Sequence, residues 1–266
     1  MMDAEDILFE SLQTLYDYQP ITLTSQGSLF TYTYTSISIT LRTPDTQASN
    51  WSLHANSIWV SSIYLADHIA DLNLDRYIKS DSQKKISVLE LGASAGLPSI
   101  LVAKLFPTSA LVTVTDYPDD KLIKTLKNNV QSNNVADSCK VLPYAWGSDP
   151  TVVLGNGGFD VVIAADTLWN PELHPIFIDS LKSTLKKSST SRIHLVVGLH
   201  TGRYTIQAFL THIQRNSGLY VVSILEREAA GSSTRMWEVF REGEDERERR
   251  RWIIWMTLAW EKSMID

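Results

Sequence analysis

Three short stretches hold residue types that could do chemistry together. The first is residues 88–98, VLELGASAGLP. An apolar strand runs into a turn of small residues, and a helix opens directly behind it. Gly92, Ala93, Ser94 and Gly96 let a ligand approach the backbone, and the free N–H groups of the first helical turn point at it. Pro98 suits that turn, where its missing N–H costs nothing. The pattern reads as a nucleotide site; the plain alternative is a tight βα turn with no ligand. A dinucleotide fingerprint wants Gly two residues after the first Gly, and Gly or Ala five residues after it. Those positions hold Ser94 and Leu97. Glu90 would repel a pyrophosphate, whereas it would attract, directly or through water, the ammonium of a methionine moiety. S-adenosylmethionine, with a sulfonium, an ammonium and no phosphate, fits that charge pattern better than NAD.

The second stretch ends the next strand at Asp116, 24 residues after Gly92. A carboxylate there can accept from both ribose hydroxyls, as in dinucleotide folds; the plain alternative is a loop Asp capping the next helix. Tyr117 follows and can pack near an adenosine. Trp146, after a third strand, offers an indole face for adenine or simply joins the core. The third stretch is residues 159–170, FDVVIAADTLWN. Asp166 and Asn170 fall at the carboxyl end of a strand, where open α/β sheets place their substrates. A carboxylate can orient an incoming ammonium and assist its deprotonation. Trp169 can hold a methylated ammonium by its ring face. The plain alternatives are that Asp166 caps the helix near Glu172 and that Trp169 is core. His200 ends a fifth strand at the same edge and is a candidate substrate contact. His174 reads as a surface or capping histidine. No G-x-S-x-G turn is present, which argues against a serine hydrolase.

The elements that must position these residues alternate. Phe30–Leu41 interleaves apolar residues with Thr and Ser, the period of a half-buried β-hairpin. Ser57–Leu72 shifts to a helical period, with Ile58, Leu65, Ile69 and Leu72 on one face. Strands are expected at Ile86–Leu91, Ala110–Thr115, Cys139–Leu142, Phe159–Ala165 and Ile193–Leu199. Helices are expected from the Gly turn through Phe106 and at Lys121–Gln131, Leu173–Lys186 and Arg203–Ile213. Leu219–Glu226 and Arg251–Trp260 are late strands with a loop between them, hence an antiparallel pair. The highly charged run Arg241–Arg251 reads as a solvated part of that connection. The expected fold is α/β, a doubly wound sheet covered on both faces, mostly parallel with the last strand antiparallel. Residues 1–50 form an N-terminal extension with the hairpin, and 51–266 the main domain.

Composition narrows the class. The chain has 266 residues with 24 Lys and Arg against 30 Asp and Glu, a net charge of −6. No global basic field exists to grip nucleic acid. A single cysteine, Cys139, excludes an intrachain disulfide and Cys-rich zinc sites, and no metal is expected. The longest apolar run, Trp252–Trp260, is too short to cross a membrane as a helix. The acidic start of the chain lacks the basic residues of a signal or transit peptide, so a cytoplasmic location is expected.

The segments HANSIWVSS, VLELGASAGLPS, VTDYPD, YAWGSD, FDVVIAADTLWN, GLHTGR and RRRW together resemble family 16 of the seven-strand S-adenosylmethionine-dependent methyltransferases. Within it the chain looks closest to the fungal branch labelled nicotinamide N-methyltransferase-like. The resemblance runs from about Trp51 to the C-terminus. It implies the class I methyltransferase sheet of seven strands, with Trp59 contacting the cofactor. It also implies that Gly92–Ser94 surround the methionine part, that Asp116 binds ribose, and that Trp146 and Ala165 complete the adenosine pocket. Much of the family has D-x-x-Y after the fourth strand; here it is Asp166-Thr167-Leu168-Trp169, without the hydroxyl. The expected enzyme is a monomer that methylates a protein lysine or N-terminal amine, a translation elongation factor being one substrate in that branch. Three rivals stand beside it: a small-molecule, nicotinamide-like N-methyltransferase, a non-catalytic binding subunit of the same fold, and an NAD-dependent oxidoreductase, against which Glu90 and Ser94 argue.

Overall fold

The computed structural model describes residues 20–78, 85–155, 157–215 and 217–265. The first nineteen residues of the expected extension, and most of the polar turn before the first sheet strand, lie outside the described residues.

The chain opens on a hairpin of β1 (Leu29–Tyr34) and β2 (Ile37–Arg42), turned at Thr35 with φ +52°. Then come α1 (Val60–Asp67), β3 (Ile86–Leu91), α2 (Leu97–Leu105), β4 (Ala110–Asp116), α3 (Asp120–Ser132) and β5 (Cys139–Pro143). The second half holds β6 (Val161–Ala165), α4 (His174–Thr184), β7 (Arg192–Gly198), α5 (Arg203–Gln214), β8 (Leu219–Glu228), β9 (Thr234–Met236), α6 (Glu246–Arg250) and β10 (Trp252–Trp260). The main sheet has the order β5-β4-β3-β6-β7-β10-β8-β9. Neighbours from β5 to β7 are parallel, and β10 is antiparallel to both β7 and β8. This is the expected doubly wound sheet, with β9 added as a short eighth strand.

The strands are apolar on both sides because each face is covered. Val88, Ile163 and Trp255 pack with α1, α2 and α3, whereas Leu89, Val162 and Ile254 pack with α4 and α5. Tyr32, Ile39 and Leu41 carry the hairpin into the first of these cores. Its edge is held by two asparagines of α3. Asn129 accepts from Arg42 N at 2.8 Å, and Asn133 donates to Thr40 O at 2.8 Å. Asn129 also donates to Ala95 O at 3.0 Å, so one side chain ties the hairpin to the Gly-rich turn.

Two sequence expectations change. The helix expected from Ser57 to Leu72 is α1 plus a separate 3₁₀ turn, Ile69–Leu72, and both still bury Leu65, Ile69 and Leu72. The charged run is not simply solvated. Glu226 of β8 is fully buried and meets Arg203 at 2.6 Å, Arg235 at 2.6 Å and Arg241 at 3.2 Å. Glu244 closes the cluster on Arg203 at 2.6 Å and Arg235 at 2.8 Å. The run turns inward at Arg241 and Glu244 because a buried carboxylate and guanidinium must be paired.

Candidate active site

A cleft of about 830 Å³ opens at the carboxyl ends of β3, β4 and β6. Its floor begins at the Gly-rich turn. Gly92 has φ +69°, and an added Cβ would sit 3.1 Å from Thr167 Cγ2 and 3.3 Å from the Trp146 ring. Ser94 takes a left-handed φ of +50°. Its hydroxyl donates to Ala55 O at 2.8 Å, and its N–H to Asp116 Oδ2 at 2.6 Å. The other Asp116 oxygen accepts from Tyr117 N at 2.7 Å. Burial raises this carboxyl to about 6 despite those two N–H groups.

The wall beside Asp116 is apolar. Trp146 is packed on Phe177 at 4.5 Å between centroids, and Ala145, Ala165, Leu173 and Ile176 line the same slot. Tyr144 lines it too, with its hydroxyl turned away toward Ser180 Oγ at 3.4 Å.

Asp166 lies where β6 ends, at φ +53°, 9% exposed. Its Oδ1 accepts from Gly198 N at 2.8 Å, whereas Oδ2 is buried with no partner. A strained residue with an unpartnered carboxyl oxygen is an arrangement met at functional sites. His54, Trp59 and Trp169 line the same cleft. His200 stacks on Trp59 at 5.5 Å, and His54 meets Trp169 edge-on at 5.0 Å. Trp59 Nε1 donates to His54 O at 2.9 Å, which fixes the two rings of the front segment relative to each other.

Of the sequence candidates, Trp59, Gly92, Ser94, Asp116, Tyr117, Trp146, Ala165, Asp166 and Trp169 line this cleft. Five stand elsewhere. Asn170 spends its Oδ1 capping Glu172 N at 3.0 Å, the role sequence reasoning had offered to Asp166. His200 does not line the cleft; it stacks on Trp59 and, with Asp166, flanks Gly198, where an added Cβ would meet both side chains. Gly96 is a packing glycine: an added Cβ would lie 2.6 Å from Leu126 Cδ1. Ala93 and Glu90 line a smaller adjoining pocket shared with Trp59, Gly92, Ser94 and Ala165. Glu90 accepts from Ser99 N at 3.1 Å, and burial pushes its carboxyl up to about 8. It is therefore largely uncharged in the free protein at neutral pH, and the charge argument built on it holds only once a cation sits beside it. His174 is buried, not on the surface, with Nε2 on Leu168 O at 3.1 Å, and its backbone N–H caps the 3₁₀ turn Pro171–Leu173.

Sequence reasoning missed Leu53, His54 and Ala55, which enter from the front segment, and Thr167, Leu173 and Ile176 behind β6. His54 stands inside HANSIWVSS, so a signal was present without a role attached. Among the described residues no cluster of His, Cys, Asp and Glu could hold a metal ion, and no helix is long and apolar enough to cross a membrane.

The residues present suit a sulfonium nucleoside. Each Asp116 oxygen keeps a lone pair free beside its one N–H, enough for a pair of ribose hydroxyls. The Trp146 slot is apolar, and Gly92 opens the floor where any side chain would fill it.

A family model described as Lysine methyltransferase matches residues 44–216. Similar curated proteins include one from Schizosaccharomyces pombe, 33% identical over 183 residues, which are 66% of this chain and 68% of that one. One from Gibberella zeae is 29% identical over 65% of this chain and 69% of its own. One from Neurospora crassa is 29% identical over 54% of this chain and 53% of its own. All three carry the name protein N-terminal and lysine N-methyltransferase efm7.

Proposed function

The chain belongs to the lysine methyltransferase family, and from that premise we propose that its cleft methylates a nitrogen borne on a protein, a lysine side chain or an N-terminal amine. It is an S-adenosylmethionine-dependent N-methyltransferase. When bound, the donor supplies an electrophilic methyl on a sulfonium; the chain's residues do the rest. We assign ribose binding to Asp116, the adenine slot to Trp146, Ala165 and Ile176, and the methionine end to the Gly92–Ser94 loop with Trp59.

The observation that carries the reading is Asp166, with one oxygen unpartnered, in a cleft that it lines together with His54, Trp59 and Trp169. A protein amine is an ammonium at neutral pH and cannot attack until it loses a proton. A buried carboxylate attracts that ammonium, orients it and accepts the proton. Trp169 and Trp59 hold the cation by their ring faces, which also suits a partly methylated product. The relatives' names support protein nitrogen as the acceptor. A translation elongation factor is the substrate we put forward first. The catalytic unit on this reading is residues 51–266.

The test is methyl transfer from labelled donor to three acceptors: a purified elongation factor, a cell extract and nicotinamide. Label fixed in protein and absent from nicotinamide is the expected result. Label found only in nicotinamide overturns the protein-substrate reading.

A further inference from the structure

We propose that the chain carries a second binding site, for a small phosphate-class oxyanion, in the pocket that Arg76, Arg192, Arg227 and His194 line beneath the turns after α1. This pocket lies at the amino end of β7, the end remote from Gly198 and the methyl-transfer cleft, and is open to solvent.

Its charge is unbalanced. Three guanidiniums face it against the single carboxylate of Asp71. Arg227 is already committed: it pairs with Asp71 at 2.5 Å and lies over the Trp255 ring at 4.7 Å. Arg76 and Arg192 are not. Among the described residues neither has a carboxylate partner. Neutral groups hold them instead: Arg76 donates to the Tyr77 hydroxyl and to Thr190 O at 3.4 Å and lies over the Tyr77 ring at 4.6 Å, and Arg192 donates to Ser189 O at 2.8 Å and Ser191 O at 2.7 Å. A guanidinium has five donors, so both keep N–H groups for a ligand. In a chain of net charge −6, this is a local concentration of the opposite sign.

The buried wall supplies the second observation. His194 is 5% exposed, and its Nε2 has no hydrogen-bond partner. Trp255 Nε1 donates to its Nδ1 at 3.3 Å. That donation makes Nδ1 an acceptor and leaves the ring proton on Nε2. Burial, reinforced by Arg76 and Arg192, pushes the ring down to about 3, so it is neutral at physiological pH. A buried N–H without an acceptor is costly, and a ligand that shifted the pocket wall enough to reach it would relieve that cost. Arg76 and Arg192 thus line the pocket beside the His194 ring with donors to spare, and the acceptors there are the Asp71 carboxylate, already paired with Arg227, the Asn73 amide oxygen and the hydroxyls of Thr257 and Ser223. A doubly charged tetrahedral oxyanion satisfies that set and neutralises the excess charge. Trp255, Leu225 and Val222 leave an apolar flank for the organic part of a phosphate monoester.

The test is calorimetric titration of the whole protein with inorganic phosphate and with phenyl phosphate, at ionic strength fixed by sodium chloride. One saturable site per chain is expected. Tighter binding of phenyl phosphate identifies a monoester as the natural ligand; equal or weaker binding identifies free phosphate. Arg192→Gln and Arg76→Gln should each weaken binding by about 10- to 100-fold. His194→Phe keeps the ring volume and should weaken it similarly; the arginine variants carry the test if that buried change unfolds the chain. Affinity for S-adenosylhomocysteine, unchanged in the arginine variants, verifies the fold independently of methyl transfer. Absence of saturable binding to the native protein overturns the proposal. So do folded arginine variants that bind phosphate as well as the native chain.

Discussion

Asp116→Asn is the sharpest probe of the donor site. Each Asp116 oxygen already accepts one backbone N–H, from Ser94 at 2.6 Å and from Tyr117 at 2.7 Å. The remaining lone pairs are the ones offered to the ribose. A hydrogen bond to a charged group contributes about 1.5–3 kcal/mol, roughly twice a neutral one. The amide keeps the shape and one acceptor oxygen but loses the charge and turns its other lone pair into a donor facing Ser94 N–H. The expected loss is about 2–4 kcal/mol, or about 30- to 1000-fold in Kd for S-adenosylhomocysteine by calorimetry. Asp116→Ala should lose more, because Ser94 N–H is then left without its partner. The native protein adds a pH signature. Burial holds the Asp116 carboxyl at about 6. As pH falls through that value the free site takes up a proton, so Kd should rise tenfold per pH unit below it, while the Asn variant stays flat. The stability sign is opposite. The folded carboxyl binds its proton more tightly than the unfolded one, so this group favours folding increasingly as pH drops from 7 through 6 toward its ordinary value. An Asn variant within about twofold of native affinity, or a flat native profile from about pH 5 to 7, would refute the ribose assignment.

Glu226→Gln leaves three guanidiniums around a neutral amide and should destabilise the fold by about 3–5 kcal/mol, read as a drop in Tm of roughly 10 °C; a change under about 2 °C would show the cluster to be ornamental. The arginines hold the Glu226 carboxyl at about 2, so its contribution is full above the ordinary Glu range and disappears as pH falls toward 2, which acid unfolding of native and variant proteins will reveal. Asp166→Asn suits the left-handed backbone and should lower kcat by about 10²- to 10⁴-fold with S-adenosylhomocysteine affinity unchanged; native turnover removes Asp166 from the chemistry. Gly96→Ala forces a Cβ to 2.6 Å from Leu126 at φ +84° and should cost about 1–3 kcal/mol of stability while leaving donor affinity intact, separating a packing glycine from a binding one.

The sheet was legible because its strands are written as continuous apolar runs, and because the small-residue turn and Asp116 sit where a doubly wound sheet must present them. What stayed illegible depends on partners far away in the chain. His54 enters the cleft because Ser94 donates to Ala55 O, 39 positions away, and because Asp119 binds Gln47 N and Asn50. No local periodicity encodes such a loop. The run Arg241–Arg251 has the composition of a solvated link, yet Arg241 and Glu244 are drawn inward by Arg203 and Glu226, whose burial no window around residue 241 contains. Glu90 misled in a third way. Its spacing was right, but a charge read from sequence presumes water, and burial beside Ser99 N leaves it largely protonated.

The departure from D-x-x-Y sharpens the division of labour. With Trp at 169, the rim offers ring faces and no hydroxyl at that position. Tyr144 has its hydroxyl committed to Ser180 and Ser148, so it does not replace the missing one. Two carboxylates line the cleft, Asp116 and Asp166. Asp116 spends one lone pair of each oxygen on the loop N–H groups and, on our reading, the rest on ribose. On our reading that leaves Asp166, whose buried Oδ2 has no partner, as the carboxylate that takes the substrate's proton once the cleft is occupied. Its left-handed backbone and the Gly198 N–H on Oδ1 set its aim before any substrate arrives, so the cost of orienting it is met in folding. On our reading, indole and imidazole rings sharing a cleft with one fixed carboxylate would select for positive charge at the tip of a slender chain more than for the shape of the body that carries it. Discrimination between a lysine and an N-terminal amine must then come from the front segment around His54, which reaches the rim from outside the sheet.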